Sequence, residues 1–422
     1  MSHAVRVTCT ALFTCTLVLA PAYARAQDSQ AQDLRAQLEL MRQQLEALQQ
    51  KVAALEAAAG QRPTAPEAAV PIPAVVPPPT QVPPPAAEPQ ATVVQVQGQV
   101  PSSKVFNPDI SVIGNFVGAA GNNSIDPLPA LRLQEAEASF QAVVDPYARA
   151  DFFLAASPEG LEVEEGFVTF PTLPGGLLMK VGKMKAQFGK ANTLHAHNLP
   201  WVDQPMPIKN LLGGDEGLND SGISVSRLIM NPVLFLEATG EIYNGNNAVF
   251  TANERSQLTY LGRLRGYRDV TESTNLDIGT SFAYGHNDAS LDSTTRVYGI
   301  DATLRYRPLQ QALYKRAMLR TELFWSRREQ PAFDGTAFGA YVSGEYQLAR
   351  RLFAGARNDF SDRAIDPSQR DKSGSFLVTF WPSEFNQIRG QYRYTSYAEG
   401  VKANELLVQF LFSIGAHGAH IF

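Results

Sequence analysis

The stretch from residue 189 to residue 220 holds the residues of this chain best suited to metal chemistry. His195 and His197 are two positions apart, and neutral imidazoles are common metal ligands. A second pair, His417 and His420, lies near the C-terminus. Neither pair has a cysteine or a fixed third ligand beside it. We therefore predict no metal, with zinc at His195 and His197 as the weaker alternative.

Charged residues recur at alternate positions in several later segments. Rings of arginine and lysine can select anions where they line a pore. Acidic residues such as Glu135, Glu137 and Asp301 share the same notional face, and mixed charge also simply solvates a wet interior. Anion selection and a mixed polar lining therefore both stay open. The residues that we predict to line an interior are Lys183, Lys185, Arg263, Arg265, Arg305, Arg320, Glu322, Arg389 and Arg393.

Enzymatic motifs are missing from the sequence. No nucleophile, base and acid stand at a spacing that indicates catalysis, and no glycine-rich phosphate loop or dinucleotide fingerprint occurs. We predict that the protein is not an enzyme and has no cofactor. A formal net charge of −5 also gives no reason to expect nucleic acid as a partner.

Alternation of apolar and polar residues dominates the chain from residue 105 onward. In 296–306, Tyr298, Ile300 and Leu304 share one parity, while Asp301 and Arg305 take the other. A period of two indicates strands with one apolar face. The segments reach about ten residues, which is enough to cross a bilayer at a tilt. Charged alternate faces then suit a watery interior. We predict an all-β, antiparallel transmembrane barrel over residues 105–422.

We count about sixteen segments with this texture. About sixteen strands leave an aqueous channel, whereas eight fill with side chains. The third outer connection, 189–220, is the longest and carries His195, His197, Trp201, Asp203, Asp215 and Glu216. In this it resembles porin-like proteins, whose third loop often folds inward, and the resemblance implies that these residues narrow the pore. The segments are 109–119, 131–144, 148–156, 161–170, 176–188, 221–230, 234–244, 257–268, 274–285, 294–307, 316–327, 336–348, 352–360, 373–381, 385–397 and 403–414.

The N-terminal quarter has a different composition. Residues 1–26 read as a signal peptide that contains both cysteines, Cys9 and Cys15. Residues 27–60 carry an unbroken heptad pattern, which predicts a self-associating α-helical coiled coil in the periplasm. Residues 61–104 are rich in proline and predict an extended linker.

Several motifs resemble those of known outer-membrane proteins. Phe422 resembles the terminal aromatic of barrels recognised by the assembly machinery. Gly182-Lys183-Met184-Lys185 with Phe188-Gly189 is similar to a strand motif of the phosphate-selective porin O/P superfamily. Residues 192–220 and the ending 415–422 resemble a related porin-like family named for a zinc-regulated outer-membrane receptor. The resemblance covers 109–422 and implies a passive channel, without establishing a solute.

The sequence thus favours a porin in the Gram-negative outer membrane. Its expected partners are the lipid bilayer, small solutes that include anions, two further copies in a homotrimer, and peptidoglycan through the coil. Two alternatives remain, a ligand- or metal-linked receptor and a coiled-coil envelope tether.

Overall fold

The structure is a computed structural model, and it describes residues 108–331 and 333–415. The predicted signal peptide, coiled coil and linker lie outside the described residues. So do Phe422 and the pair His417 and His420. No helix in the two described ranges is long and apolar enough to cross a membrane.

The described chain forms sixteen β-strands in one sheet, as the alternation predicts. All neighbouring strands are antiparallel, in chain order, and β16 pairs with β1 to close the barrel. The strands are β1 (Asp109–Asn122), β2 (Leu131–Asp145), β3 (Ala148–Ser157), β4 (Gly160–Leu173), β5 (Leu177–Lys185), β6 (Asn219–Ile229), β7 (Phe235–Tyr243), β8 (Thr259–Thr271), β9 (Thr274–His286), β10 (Thr294–Tyr306), β11 (Ala317–Gln330), β12 (Phe333–Ala349), β13 (Leu352–Asp362), β14 (Arg370–Ser383), β15 (Asn386–Ser396) and β16 (Lys402–Gly415).

The closing seam runs along the whole length of β1. Its register extends from Ser111 opposite Gly415 to Asn122 opposite Asn404. On the inner side, the amide of Gln409 donates a hydrogen bond of 3.0 Å to Asn115 Oδ1. Closure leaves no unpaired edge, which satisfies the backbone groups of both outermost strands.

The two faces of the barrel differ as the alternation predicts. On β10, the apolar Tyr298, Ile300 and Leu304 are exposed on the outside, while Asp301 and Thr303 are buried inside. Paired residues on neighbouring strands continue each face, because side chains directly opposite each other point the same way. The outer surface is therefore apolar and the inner surface polar.

The connections alternate in length around the barrel. The longer ones, including 186–218, 244–258 and 363–369, follow odd-numbered strands. Those after even-numbered strands are mostly short, such as 146–147 and 384–385, although 307–316 includes a 3-10 turn at Leu309–Gln311. The long 186–218 connection contains 3-10 turns at Ala191–Thr193 and Ala196–Asn198 and one short helix, α1 (Met206–Leu211).

Strand β5 is shorter than predicted. The expected segment reached 188, but the strand ends at Lys185, and Phe188 lies fully buried inside the barrel. The cause is local, because the Ala186 N–H donates to Leu218 O and the Phe188 N–H donates to Ala186 O, which turns the chain inward.

Candidate functional site

Residues 186–218, which we call the inner loop, fold into the barrel. Phe188, Ile208, Leu211 and Leu212 are almost completely buried, and they join an apolar cluster with interior residues such as Phe324. Apolar side chains are stable inside a polar barrel only where they pack against each other. The inner loop is thus a folded insert within the lumen.

Asn192 closes the base of the inner loop. Its amide donates to the carbonyl oxygens of Ala186 (2.9 Å) and Leu218 (3.1 Å), and its Oδ1 accepts from the Leu218 N–H (2.8 Å). Gly217 is adjacent, with a φ of +65° and no room for a Cβ, which would lie 2.2 Å from Asn192 Oδ1. These contacts bring the two ends of the loop together at the barrel wall.

Glu322 on β11 holds the first turn of the loop. One carboxylate oxygen accepts from the Ala191 N–H at 2.8 Å and the other from the Lys190 N–H at 3.0 Å. The Tyr341 hydroxyl donates to the same carboxylate at 2.5 Å. The first backbone N–H groups of a helical turn have no acceptor within the turn. A carboxylate that accepts hydrogen bonds from them therefore stabilises the turn.

Asp203 is a second charged anchor of the inner loop. Its Oδ2 lies 2.9 Å from guanidinium nitrogens of both Arg357 on β13 and Arg393 on β15, and Gln391 donates to its Oδ1 at 2.5 Å. Burial raises the pKa of Asp203, but the two guanidinium groups outweigh it and hold the pKa well below the usual range. The carboxylate is therefore ionised in the folded barrel.

Arg389 on β15 binds the loop backbone rather than a carboxylate. It donates to Leu199 O at 2.8 Å and to Trp201 O at 3.3 Å. The Trp201 ring packs edge-on against Tyr341 at 5.2 Å between centroids, and Arg357 lies over the same ring. Both arginines thus hold the segment around Trp201 in place.

The two predicted histidines lie in an acidic enclosure, which we call the histidine–glutamate cluster. His195 Nδ1 is 2.6 Å from Glu137 Oε2, and its Nε2 is 2.7 Å from Glu165 Oε2. His197 Nδ1 is 3.3 Å from Glu135 Oε1. All these side chains are nearly buried. The cluster comprises Glu135 and Glu137 on β2, Glu164 and Glu165 on β4, Lys185 at the end of β5, and His195 and His197 on the inner loop.

Negative charge dominates this cluster. Lys185 offsets part of it, with Nζ 3.2 Å from Glu164 Oε1. Burial lowers the pKa of His195, but the carboxylates of Glu137, Glu164 and Glu165 around it overcome that effect and raise the pKa well above the ordinary value. The enclosure therefore favours a positive charge at the position of His195.

A second charged region, the basic wall, comprises Lys190, Arg265 and Arg305 around Asp277. Asp277 Oδ2 is 2.8 Å from both Lys190 Nζ and an Arg265 nitrogen, and 3.6 Å from Arg305. The carboxylate is buried at 1% exposure, while the side chains of Lys190, Arg265 and Arg305 are 26%, 37% and 20% exposed. Water in the lumen thus meets the cations and not the acid.

The predicted interior residues occupy different places in the barrel. Arg263, Glu322, Arg389 and Arg393 contact the inner loop or its anchors, with Arg263 donating to Gly189 O and pairing with Asp301. Arg265 and Arg305 belong to the basic wall, and Arg320 shares the interior parity of β11 with Glu322. Lys185 belongs to the histidine–glutamate cluster.

Lys183 is on β5, two residues before Lys185. It is opposite Gly166 and Ser221 and shares a face of β5 with Val181, which is 39% exposed on the outside. Its Nζ bonds with Glu162 Oε1 at 3.0 Å near the end of the strand.

The expected loop residues also divide. His195, His197, Trp201 and Asp203 lie inside the barrel, whereas Asp215 and Glu216 are exposed where the loop returns to β6. Sequence reasoning did not single out Glu164, Glu165, Asp277 or Arg357 as site residues. The neighbouring pair Glu164-Glu165 offered a signal, because strict alternation would leave one of two adjacent carboxylates on the apolar outer face.

No family model matches the sequence. A protein of Aquifex aeolicus (strain VF5) described only as uncharacterized is 28% identical over 389 residues, which cover 76% of this chain and 81% of that protein.

Solved structures with a similar fold are outer-membrane barrels. A loop L8 deletion mutant of OmpT, an outer-membrane protein of Vibrio cholerae, has a TM-score of 0.51 at 10% identity, covering 72% of this chain and 98% of its own. An anion-selective porin from Comamonas acidovorans has a TM-score of 0.50 with the same identity and coverages. OprB of Pseudomonas putida gives 0.50 at 10% identity, over 72% of this chain and 93% of its own. This chain therefore has the fold of outer-membrane β-barrel proteins.

Proposed function

We propose that this protein is a porin of the Gram-negative outer membrane through which small water-soluble solutes diffuse. The observation that carries the proposal is a closed sixteen-stranded barrel with an apolar outside and a charged inside. Barrels of this size enclose more space than side chains from the wall can fill. The inner loop occupies part of that space and restricts which solutes pass.

Single-channel recording in a planar bilayer tests this function. Purified protein should give steady current steps without added energy. Protein that inserts in folded form but stays electrically silent contradicts the proposal and favours a receptor or an envelope tether.

We further infer that the channel prefers anions. The support is the basic wall, where three partly exposed cations shield one buried carboxylate. Replacing Arg265 and Arg305 with glutamine should shift the reversal potential in asymmetric potassium chloride toward cation preference, because the lumen loses two positive charges.

Arg296 gives the matched control for this measurement. It is on the same strand as Arg305 but on the opposite, outer face, with Glu329 as its partner. Arg296→Gln should leave the reversal potential unchanged. An equal shift in both variants would show that the basic wall does not determine selectivity.

The predicted N-terminal arm extends the proposal. A periplasmic coiled coil over 27–60 would join three barrels and could reach peptidoglycan through the flexible linker. This part rests on the heptad pattern alone.

A further inference from the structure

We propose that Glu137, Glu164 and His195 bind a divalent transition-metal ion that connects the inner loop to strands β2 and β4. One nitrogen or oxygen from each residue lies within 4.8 Å of the others, and all three side chains are buried. The sequence offered only the two histidines, and the missing ligands come from strands far away in the chain. The proposal concerns binding and does not depend on whether the barrel conducts.

The three ligand atoms lie close together. Glu137 Oε2 and Glu164 Oε2 are 2.6 Å and 3.1 Å from His195 Nδ1. Separations near 3 Å are expected between atoms that share an ion at about 2.0–2.2 Å. Glu164 Oε2 is buried and has no well-directed hydrogen bond within the described residues, because the His195 Nδ1 that it faces at 3.1 Å is closer to Glu137 Oε2, while Glu164 Oε1 faces Lys185. An unpartnered buried carboxylate oxygen aimed at the group is costly unless a cation binds it.

The other side of the His195 ring has the orientation that a metal ligand needs. Its Nε2 is 2.7 Å from Glu165 Oε2. A histidine that binds metal through one nitrogen usually donates the other N–H to a carboxylate, which fixes the ring and its tautomer. Phe153 packs against the ring at 4.9 Å and restricts it further.

A β-bulge in β4 brings two adjacent carboxylates to the same enclosure. Phe153 pairs with Glu165 and Leu154 with Val163, so Glu164 is the extra residue between them. Regular alternation would turn Glu164 to the outside. Bulges commonly redirect a side chain next to a functional site, and here the redirected Glu164 carries the oxygen that has no well-directed hydrogen bond.

The negative charge of the cluster favours a cation that carries more charge than a single proton. Four carboxylates, Glu135, Glu137, Glu164 and Glu165, enclose the site, and Lys185 is the cation paired with them in the described cluster. A protonated His195 would still leave the cluster negative. One imidazole with carboxylate oxygens is a donor set suited to zinc, cobalt and manganese.

Metal content of the full-length barrel tests the site. The protein would be purified with an affinity tag free of histidine, stripped with a chelator, and given Zn²⁺, Co²⁺ or Mn²⁺ before elemental analysis. We expect about one ion per chain for at least one of these metals. Bound Co²⁺ should also give visible absorption bands from an imidazole and carboxylate environment. Bound metal should also raise the temperature at which heating converts the folded barrel to the unfolded form, which has a different mobility on an SDS gel.

Three variants should weaken binding in a graded way. His195→Gln and Glu164→Gln remove a ligand and should abolish stoichiometric metal. Glu165→Gln removes only the group that orients the ring and should weaken affinity about 10- to 100-fold. Asp203→Asn is the matched control, because it disturbs the same loop at its other anchor and should retain the metal.

Two results would overturn the proposal. One is wild-type protein that binds none of the three metals after stripping and reloading, which would leave a protonated His195 as the cation of the cluster. The other is unchanged metal content in both His195→Gln and Glu164→Gln, which would place any bound ion elsewhere.

Discussion

Individual polar side chains on the barrel wall determine where the inner loop lies. Glu322, Arg389 and the Asp203 anchor each satisfy groups of the loop that would otherwise be buried without partners. Removing one member of such a pair leaves its partner uncompensated in a site with little water. The loop should therefore be sensitive to isosteric changes that remove only a charge.

Asp203→Asn should destabilise the folded barrel by roughly 3 kcal/mol, because Arg357 and Arg393 lose a shared buried carboxylate. Urea unfolding in detergent micelles, followed by tryptophan fluorescence, measures the change. Asp126→Asn is the control. Asp126 pairs with Lys209 at a 43% exposed site, and its loss should cost less than about 1 kcal/mol. Equal effects of the two variants would refute the anchor role.

The same anchor predicts a pH dependence. The pKa of Asp203 is depressed in the folded state, although burial alone would raise it, because Arg357 and Arg393 stabilise the carboxylate. Its stabilisation is therefore present above the unfolded pKa of about 3.9 and is lost only as pH falls through the lower folded pKa. Nearby Lys209 and Asp359 are charged groups of the same region.

Wild type and Asp203→Asn should consequently differ by a constant free energy of unfolding from pH 8 down to about pH 4. The difference should shrink under more acidic conditions. Urea titrations at several pH values measure it, and a difference that already disappears near pH 6 would show that Asp203 is not held as described.

At the scale of elements, period-two alternation was sufficient to predict the number and the approximate bounds of the strands. That signal is local, because the alternation of apolar and polar residues within each strand reflects the apolar outer face and the polar inner face of the barrel. The bulge at Glu164 and the early end of β5 were missed, since one extra residue or one early turn interrupts the alternation. The anchors could not be predicted either, because Asp203 meets Arg393 across 190 residues of sequence.

The outer face of β10 predicts a depth-dependent cost for charge. Ile300 is in the middle of the strand and Tyr306 at its end, both exposed on the same apolar face. Ile300→Arg should destabilise the barrel in lipid vesicles by about 2–4 kcal/mol, and Tyr306→Arg by no more than about 1 kcal/mol. Urea unfolding in vesicles measures both. Similar costs at the two positions would contradict this bilayer placement.

At the scale of the whole molecule, the predicted coiled coil should determine assembly. Deleting residues 27–60 should convert an oligomer to monomers or weaken it, since the heptad pattern supplies an association surface. Chemical crosslinking and native mass spectrometry in detergent measure the state. Deleting only the proline-rich stretch 61–90 is the control and should preserve the oligomer. An unchanged oligomer without 27–60 would assign association to the barrel walls.

The seam between β1 and β16 has a kinetic consequence. Asn115 and Gln409, which meet across it, are 294 residues apart in sequence. Strand β1 is synthesised before the other strands of the barrel, and its second edge stays unpaired until β16 has been made. Contacts of such long sequence separation form slowly. During that delay the unpaired strand edges can form hydrogen bonds with other chains. Newly secreted molecules should therefore need a chaperone that prevents aggregation until the barrel closes.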